Sequence, residues 1–421
     1  MKKTLLLGAG FSYDLGMPLA SELTEIFLSM FSDEKSNQRF IDVLAANDPY
    51  SQGHPINRAA ISQAVKIVTQ YNGVNYEALL AEIESLSSQY GSSVTQSDRD
   101  SYHYISGIFY SIIHLVLNSY QLLSYQLIYQ KNSPYFKEIK SILSEHETWV
   151  FTLNHDMYFE CLALDYNIPI SYGDPYKMSL PVDNRDLNNL INFTYSKRDE
   201  LLDNNFFSNQ FGVNLVKLHG GLSELLYKEN TQLCNQSLSL ENSNHLIQNF
   251  IKIQNMGYYS DGQKVPSGKD RVITDVDGEL DIICQSMLTG GNKYSRTTKD
   301  KKGEEKLMLM VKQLDKTDEL TIIGYGFGDK HINSRISNAM VRNPNMKIKI
   351  VDAISKPVPE ILEQFDYDLR IIRNTCGAAH WMSYLALERW DRELMETLDN
   401  NKQFRQQIKE VIKRQFSAKK V

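Results

Sequence analysis

Thr4 to Leu7 form a short apolar or β-branched run that leads directly into Gly8-Ala9-Gly10-Phe11-Ser12. Gly16-Met17-Pro18 follows, and then an apolar-periodic stretch from Leu19 to Met30. A run with no polar alternation that ends in a glycine turn reads as a parallel strand buried on both faces. Proline is tolerated in a first helical turn, so a helix is expected from Met17 or Pro18 to about Phe31. Strand, glycine turn and helix is the order by which an α/β sheet brings backbone amides up to a phosphate. The turn is not a dehydrogenase fingerprint, because Tyr13 stands where a third glycine belongs and Asp33 and Glu34 follow a helix rather than a second strand. No Gly-Lys-Ser/Thr follows, so it is not a P-loop either. A tight strand-to-helix turn that meets no ligand is the plain alternative.

With 421 residues the chain can bury one large core, a core with an insertion, or two domains. A formal charge of -6 gives no global argument for nucleic-acid binding. Cys161, Cys234, Cys284 and Cys376 are scattered, with neither metal-ligand spacing nor a disulfide framework. The expectation is a reducing, cytoplasmic compartment and no bound metal. No secretory leader is expected at the N-terminus, where the apolar run is too short for one. Ser101 to Gln130 lacks Asp, Glu, Lys and Arg but is rich in Ser, Gln, Asn, Tyr and His. It reads as a core or interface helix, because a membrane span would bury those polar groups.

Six strands are expected, near residues 4, 149, 213, 320, 347 and 369, with helical crossovers that a parallel sheet requires. Residues 1–34 and 146–400 read as a discontinuous α/β core, and 35–145, which shows no convincing strand, as a helical insertion domain. Helices are expected over Ala59 to Tyr71, Tyr76 to Ser88, Ser101 to Tyr129 (whole or broken), Tyr135 to Leu143, Met157 to Tyr166, Gly303 to Leu314, 331 to 341, Pro359 to Phe365 and Ala378 to Leu398. A loop carries Asp48-Pro49 and His54-Pro55. Residues 167–212 read as loop, and 228–300 as a partly ordered excursion with a short helix over Asn244 to Gln254. The tail, 401–421, is basic and amphipathic: from Lys402 onward it has seven Lys or Arg and one acid, Glu410. It docks on the core or contacts a partner or phosphates.

In open α/β sheets ligands sit beyond the carboxyl ends of the strands. Asn154-His155-Asp156 lies just past the strand Trp149 to Thr152. There Asn154 can hold a water or a ribose hydroxyl and Asp156 can orient a neighbour, unless the three merely cap the next helix. His219, closing Val213 to Leu218 and followed by two glycines, is a candidate acid/base, since its ordinary pKa lies near working pH. Gly324-Tyr325-Gly326-Phe327-Gly328-Asp329 forms a second ligand-facing loop or a flexible turn, and Asp352, ending the next strand, can receive hydroxyls.

Gly8 to Ser12 with Gly16 and Pro18, Thr152 to Asp156, Leu218-His219-Gly220, and Gly324 to Asp329 together resemble the sirtuin family. They look most like the bacterial SIR2-like NADases of anti-phage defence. The resemblance implies a six-stranded Rossmann-like parallel sheet with NAD+ bound across its carboxyl edge as substrate. It puts the loop Gly8, Ala9, Gly10, Phe11 and Ser12 near the pyrophosphate and nicotinamide ribose and Gly324, Tyr325, Gly326 and the loop to Asp329 on the adenosine side; Gly16, Pro18 and Asp352 complete the expected cofactor-binding set. It carries the ribose and attacking water to Asn154 and the general base to His219, and Asp156 beside them is taken as the third catalytic residue. The paired zinc-binding cysteines of deacetylating sirtuins have no counterpart, so the zinc module is expected to be missing and deacylation is disfavoured. The implied reaction is hydrolysis of NAD+ to nicotinamide and ADP-ribose, which depletes NAD+ in abortive infection. It is gated by homo-oligomerisation or by a partner such as a DNA-translocating ATPase, a short Argonaute or a phage-derived activator. The competing readings are an ADP-ribosyl or acyl transferase of the same fold and a non-catalytic NAD or ADP-ribose sensor.

Overall fold

The computed structural model describes residues 1–46, 56–88, 94–201, 203–266, 270–287 and 304–418. Along the chain its strands are β1 (Lys3–Leu7), β2 (Glu147–Thr152), β3 (Ile170–Ser171), β4 (Tyr176–Pro181), β5 (Leu190–Lys197), β6 (Gly212–Lys217), β7 (Glu224–Tyr227) and β8 (Gln232–Gln236). They continue as β9 (Tyr259–Ser260), β10 (Gln263–Lys264), β11 (Asp270–Thr274), β12 (Leu280–Gln285), β13 (Glu319–Ile323), β14 (Lys347–Asp352) and β15 (Ile371–Thr375). The helices are α1 (Ala9–Tyr13), α2 (Ala20–Ser29), α3 (Glu34–Ala46), α4 (Arg58–Gln70), α5 (Tyr76–Ser87), α6 (Gln96–Ser124) and the turn α7 (Gln130–Asn132). After them come α8 (Tyr158–Asp165), α9 (Ser243–Asn255), α10 (Glu304–Leu314), α11 (Lys330–Arg342), α12 (Glu360–Tyr367), α13 (Ala378–Leu387) and α14 (Arg392–Ala418). The expected loop around Asp48-Pro49 and His54-Pro55 lies outside the described residues, as does Gly303.

Two compact units are present. The first comprises Met1–Met17, Ser124–Met287 and the described residues from 304 to Asn401. It contains a parallel sheet of order β15-β14-β13-β1-β2-β6-β3. Every pairing in it is parallel, with Leu7 beside Thr152 and Ile323, Thr152 beside Lys217, and Ile323 beside Val351. The six expected strands are all there, and Ile170–Ser171 makes a seventh at the edge, too short to leave a sequence pattern. Without that edge strand, the order in chain numbering is 3-2-1-4-5-6, the doubly wound arrangement of dinucleotide-binding sheets. The strands are contiguous apolar runs because helices cover them: Leu6, Phe151, Leu320, Ile322 and Ile348 share one core with Leu309 and Met310 of α10, Ile332 and Ile336 of α11, and Leu362 of α12.

The same unit holds a second sheet, antiparallel, of order β11-β12-β7-β8-β5-β4. Leu180, Ile191, Phe193, Leu225, Cys234, Ile273 and Ile283 form its core with Ile253 and Met256 at the end of α9. This corrects the loop expected over 167–212 and the partly ordered excursion expected over 228–287. Strands such as Leu190–Lys197 place Ile191 and Phe193 on one face and Asn192 and Thr194 on the other. Between turns rich in Asn, Asp and Ser, so short an alternation is easily read as loop.

Other elements shift more modestly. The first turn is helical at Ala9–Tyr13, and the longer helix begins at Ala20 rather than at Met17 or Pro18. A π-helical turn (Tyr125–Tyr129) and a 3₁₀ segment (Ser133–Ile142) follow α6. The single helix expected over Ala378 to Leu398 is two, parted at Glu388, whose φ is 53°.

The second unit holds Pro18–Leu123 and the described residues from Lys402 onward. It is helical, and α3 (Glu34–Ala46) is an addition to the helices expected there. Asn57 and Asn75 start α4 and α5 by accepting the amides of Ala59 (2.8 Å) and Glu77 (2.9 Å). Phe27, Phe31, Phe40 and Phe109 pack ring against ring at its centre. The basic tail belongs to α14 and lies along α2. Arg405 pairs with Glu22 (2.9 Å), and Lys409 and Lys413 both pair with Glu25.

Candidate functional site

β1, β2, β6, β13 and β14 end in register, so the segments that follow them emerge along one edge. The chain leaves β1 toward β2 on one side and later returns to β13 on the other, which puts the topological switch point between β1 and β13. There the two glycine turns meet. The Gly8 amide donates to Ile323 O (3.0 Å) and the Gly10 amide to Gly324 O (2.9 Å). A Cβ on Gly8 would lie 2.6 Å from Gly324 O, and one on Gly324 would lie 2.3 Å from the Phe11 amide nitrogen. Gly324 also has φ +64°. These glycines are required by the packing of turn on turn, and two of the amides expected to cradle a phosphate are already bonded within the protein. Ala9 is the exposed residue of the turn.

Asn154 is held between β1 and β2. Its Nδ2 donates to Gly8 O (2.9 Å) and to Ser12 Oγ (3.0 Å), and its own amide donates to Thr152 Oγ1 (3.0 Å). A backbone carbonyl only accepts, so the bond to Gly8 fixes which way the side-chain amide faces. No group among the described residues donates to Asn154 Oδ1. Ser12 passes the chain on by donating to Asp156 Oδ1 (2.9 Å), which also accepts the Tyr158 amide (2.9 Å). Asp156 therefore holds the first amide of α8 from the position before its N-cap, Met157, and also anchors Ser12. Burial pushes its carboxyl above the ordinary range, opposed by the Lys217 ammonium and by the bonds from Tyr158 and Ser12.

The turn after β6 lies against this network. His155 Nδ1 is 3.2 Å from Gly220 O, and the Leu222 amide donates to His155 O (2.8 Å). His219 is buried, with its ring centroid 5.9 Å from that of His331 at the start of α11. His331 leaves no sequence signal of its own as a site residue, although it stands two positions after Asp329, the end of the Gly324 to Asp329 loop. Beneath the turn, Lys217 pairs with Glu160 (2.7 Å) and donates to Asp156 O, while Lys306 pairs with Glu224 (2.7 Å) and donates to Lys217 O (2.9 Å). Neither ion pair was foreseen.

On the other side of the switch point, a cavity of about 360 Å³ opens beyond β13, β14 and β15. Tyr325, Gly326, Asp352, Lys356, Arg373 and Thr375 are among its lining residues. One oxygen of Asp352 accepts the Ile354 amide (2.8 Å). The Tyr325 hydroxyl serves the loop itself, donating to Asn333 Oδ1 (3.0 Å) and accepting the Asp329 amide (3.2 Å). Asp329 caps α11 through its carbonyl, which accepts the amides of Ile332 and Asn333.

Three candidates are buried in packing. Phe11 is buried against Phe136 and Phe159. Gly16, at φ +111°, is needed because a Cβ would meet Ser124 Cβ at 2.6 Å. Pro18 is buried and is the first residue of the second unit. Among the described residues, no cluster of His, Cys, Asp and Glu is arranged to hold a metal ion, and no helix is long and apolar enough to cross a membrane.

The fold and site define a doubly wound α/β protein whose sheet carries, along its carboxyl edge, an Asn-Ser-Asp network and two histidines. No family model and no curated protein matches the chain. Among solved structures it is similar to one concerned with the mechanism and regulation of Sir2 enzymes, at 9% identity and a TM-score of 0.30, covering 92% of this chain and 91% of that one. A superposition that loose carries no argument about fold or activity.

Proposed function

We propose that the protein hydrolyses the nicotinamide–ribose bond of NAD+, releasing nicotinamide and ADP-ribose. The observation that carries this reading is Asn154. Its amide nitrogen is locked by Gly8 and Ser12, and its Oδ1 is left to accept at the switch point of a 3-2-1-4-5-6 sheet. The likeness of the motifs to SIR2-like NADases supports it.

Nicotinamide leaves as a neutral ring from a pyridinium, so no acid is needed to expel it. What the site must do is place a water and tolerate positive charge on the ribose. Asn154 Oδ1 accepts from that water or from a ribose hydroxyl. As the C–N bond breaks, its electron pair stays on the ring nitrogen and the water oxygen bonds to the anomeric carbon. One proton leaves the water, and His219 is the base proposed to take it. Asp156 acts through Ser12 to keep Asn154 oriented. The adenosine half is assigned to the cavity beyond β13 and β14, where among the described residues no group bonds the second oxygen of Asp352, which suits a ribose hydroxyl.

Purified protein incubated with NAD+ should yield equimolar nicotinamide and ADP-ribose by chromatography. Asn154→Ala should lower the rate by roughly a hundredfold or more while remaining folded. His219→Ala should cost about 10²-fold to 10⁴-fold. An Asn154→Ala protein as active as the parent would overturn the assignment. Labelled protein without free ADP-ribose would mark a transferase, and binding without turnover a sensor. The same reading places the enzyme in anti-phage defence, held off until it oligomerises or meets a partner. Turnover that appears only on adding phage-infected lysate would support that control, and a strict, fully active monomer would oppose it.

A further inference from the structure

We infer that Lys217, with Glu160 as its counter-ion, is a positioning residue that sets the Asn154 turn against the His219 turn. This rests on reading those turns as an active site. Lys217 is the last residue of β6, and its side chain and that of Glu160 are each 1% exposed. Its ammonium lies 2.7 Å from Glu160 Oε1 on α8 and donates to the carbonyl of Asp156, two residues after Asn154. Burying such a pair is costly, and apolar residues of the same volume often hold a fold as well or better. Stability alone therefore gives little reason for an ammonium here. What it supplies, and an apolar pair cannot, is a hydrogen aimed at the Asp156 carbonyl.

The surroundings are built to this side chain. A Cβ on Gly221 would lie 2.8 Å from Lys217 Cδ and 3.0 Å from His155 O, so the His219-Gly220-Gly221 turn closes over the lysine stem. The Leu222 amide ties that turn to His155 O, and the Gly220 amide returns to Lys217 O (3.1 Å). Lys306 donates to the same Lys217 carbonyl while both oxygens of Glu224 hold it at 2.7 Å. Two buried ammonium groups thus each hold a carbonyl, Lys217 that of Asp156 and Lys306 that of Lys217. If the Asp156 carbonyl moves, the Asp156 carboxyl, Ser12 Oγ and Asn154 Nδ2 move with it, because each is bonded to the next.

The test compares the parent, Lys217→Met/Glu160→Gln, Asn154→Ala and the triple variant in NAD+ turnover. The double variant removes both members of the ion pair together, so neither Lys217 nor Glu160 is left without its partner. A second pair, Lys217→Leu/Glu160→Leu, covers the case in which the first does not fold. The expected result is a folded protein with kcat down roughly tenfold to a hundredfold and KM within about twofold. Adding Asn154→Ala should then cost far less than it does in the parent, since both changes disable one network. Full kcat in a folded double variant, or losses that multiply independently, would overturn the inference. If the parent hydrolyses no NAD+ under any condition, the functional reading has failed, and NMR decides the clamp by itself. The His219 ring resonance, assigned with His219→Gln, should shift in the double variant, and an unmoved resonance would sink the idea.

Discussion

At the scale of single residues, the glycine turns are governed by contact between two backbones. Gly324 combines a left-handed φ with a Cβ position only 2.3 Å from a neighbouring amide nitrogen. Gly324→Ala should therefore cost at least ~2 kcal/mol, or shift the β13 turn away from Ser12 and Asn154. Chemical denaturation reads the first outcome and loss of NAD+ turnover the second. A variant of unchanged stability and activity would show that the two turns do not pack as described. Asp174 makes a separate prediction. Burial pushes its carboxyl from 3.8 to about 6, against hydrogen bonds from Thr194 and Asn235. A folded-state pKa raised above the unfolded value gives stability that is fully present below about pH 4 and is lost as pH rises through about 6. Asp174→Asn removes the charge that is penalised. It should gain on the parent between pH 4 and pH 7.5 by up to ~3 kcal/mol. Melting curves at the two pH values check the sign, and a relative gain toward low pH would refute it.

At the scale of elements, the parallel strands were legible because burial on both faces writes contiguous apolar runs, as in Thr4 to Leu7 and Leu320 to Ile323. The antiparallel sheet was not, since its strands alternate with polar residues and gain meaning only from their partners. Helix ends show the same division. Asn57 and Asn75 cap locally, within reach of sequence reading. The start of α13 is capped from far away by Asp14, whose carboxylate accepts the Ala379 amide at 2.9 Å. Asp14→Ala should cost about 1 kcal/mol in denaturant unfolding, and no loss would mean that the cap contributes nothing. The basic tail is likewise tied down by charge. Lys409 and Lys413 hold the Glu25 carboxyl below its usual range. A depressed pKa makes this hold present at neutral pH and lost as pH falls through the lowered value. Because the pair is largely in water, its strength is modest and salt-sensitive. Glu25→Gln should speed amide exchange in α14 near Lys409 without altering the parallel sheet, and unchanged exchange would argue against the clamp.

At the scale of the whole molecule, the two halves of the proposed NAD+ site fall on opposite sides of the switch point, Asn154 and His219 on one and the Asp352 cavity on the other. Binding and chemistry should therefore separate. ADP-ribose at a hundred times its Kd should stabilise the parent by about 2.7 kcal/mol. Asn154→Ala should retain most of that gain while losing turnover. Thermal shift measured beside the activity assay tests this, and a variant that loses both together would place Asn154 in binding alone. Which runs become buried parallel strands and which polar residues follow them can be read from the chain alone, because both are written locally in apolar pattern and glycine turns. The order of those strands, the contact of Gly10 with Gly324, the arrival of His331 beside His219, and the Lys217 clamp emerge only once the chain is folded. Each of these depends on which distant segments pair, and pairing is settled by packing over the whole sheet, to which no single stretch of chain carries the answer.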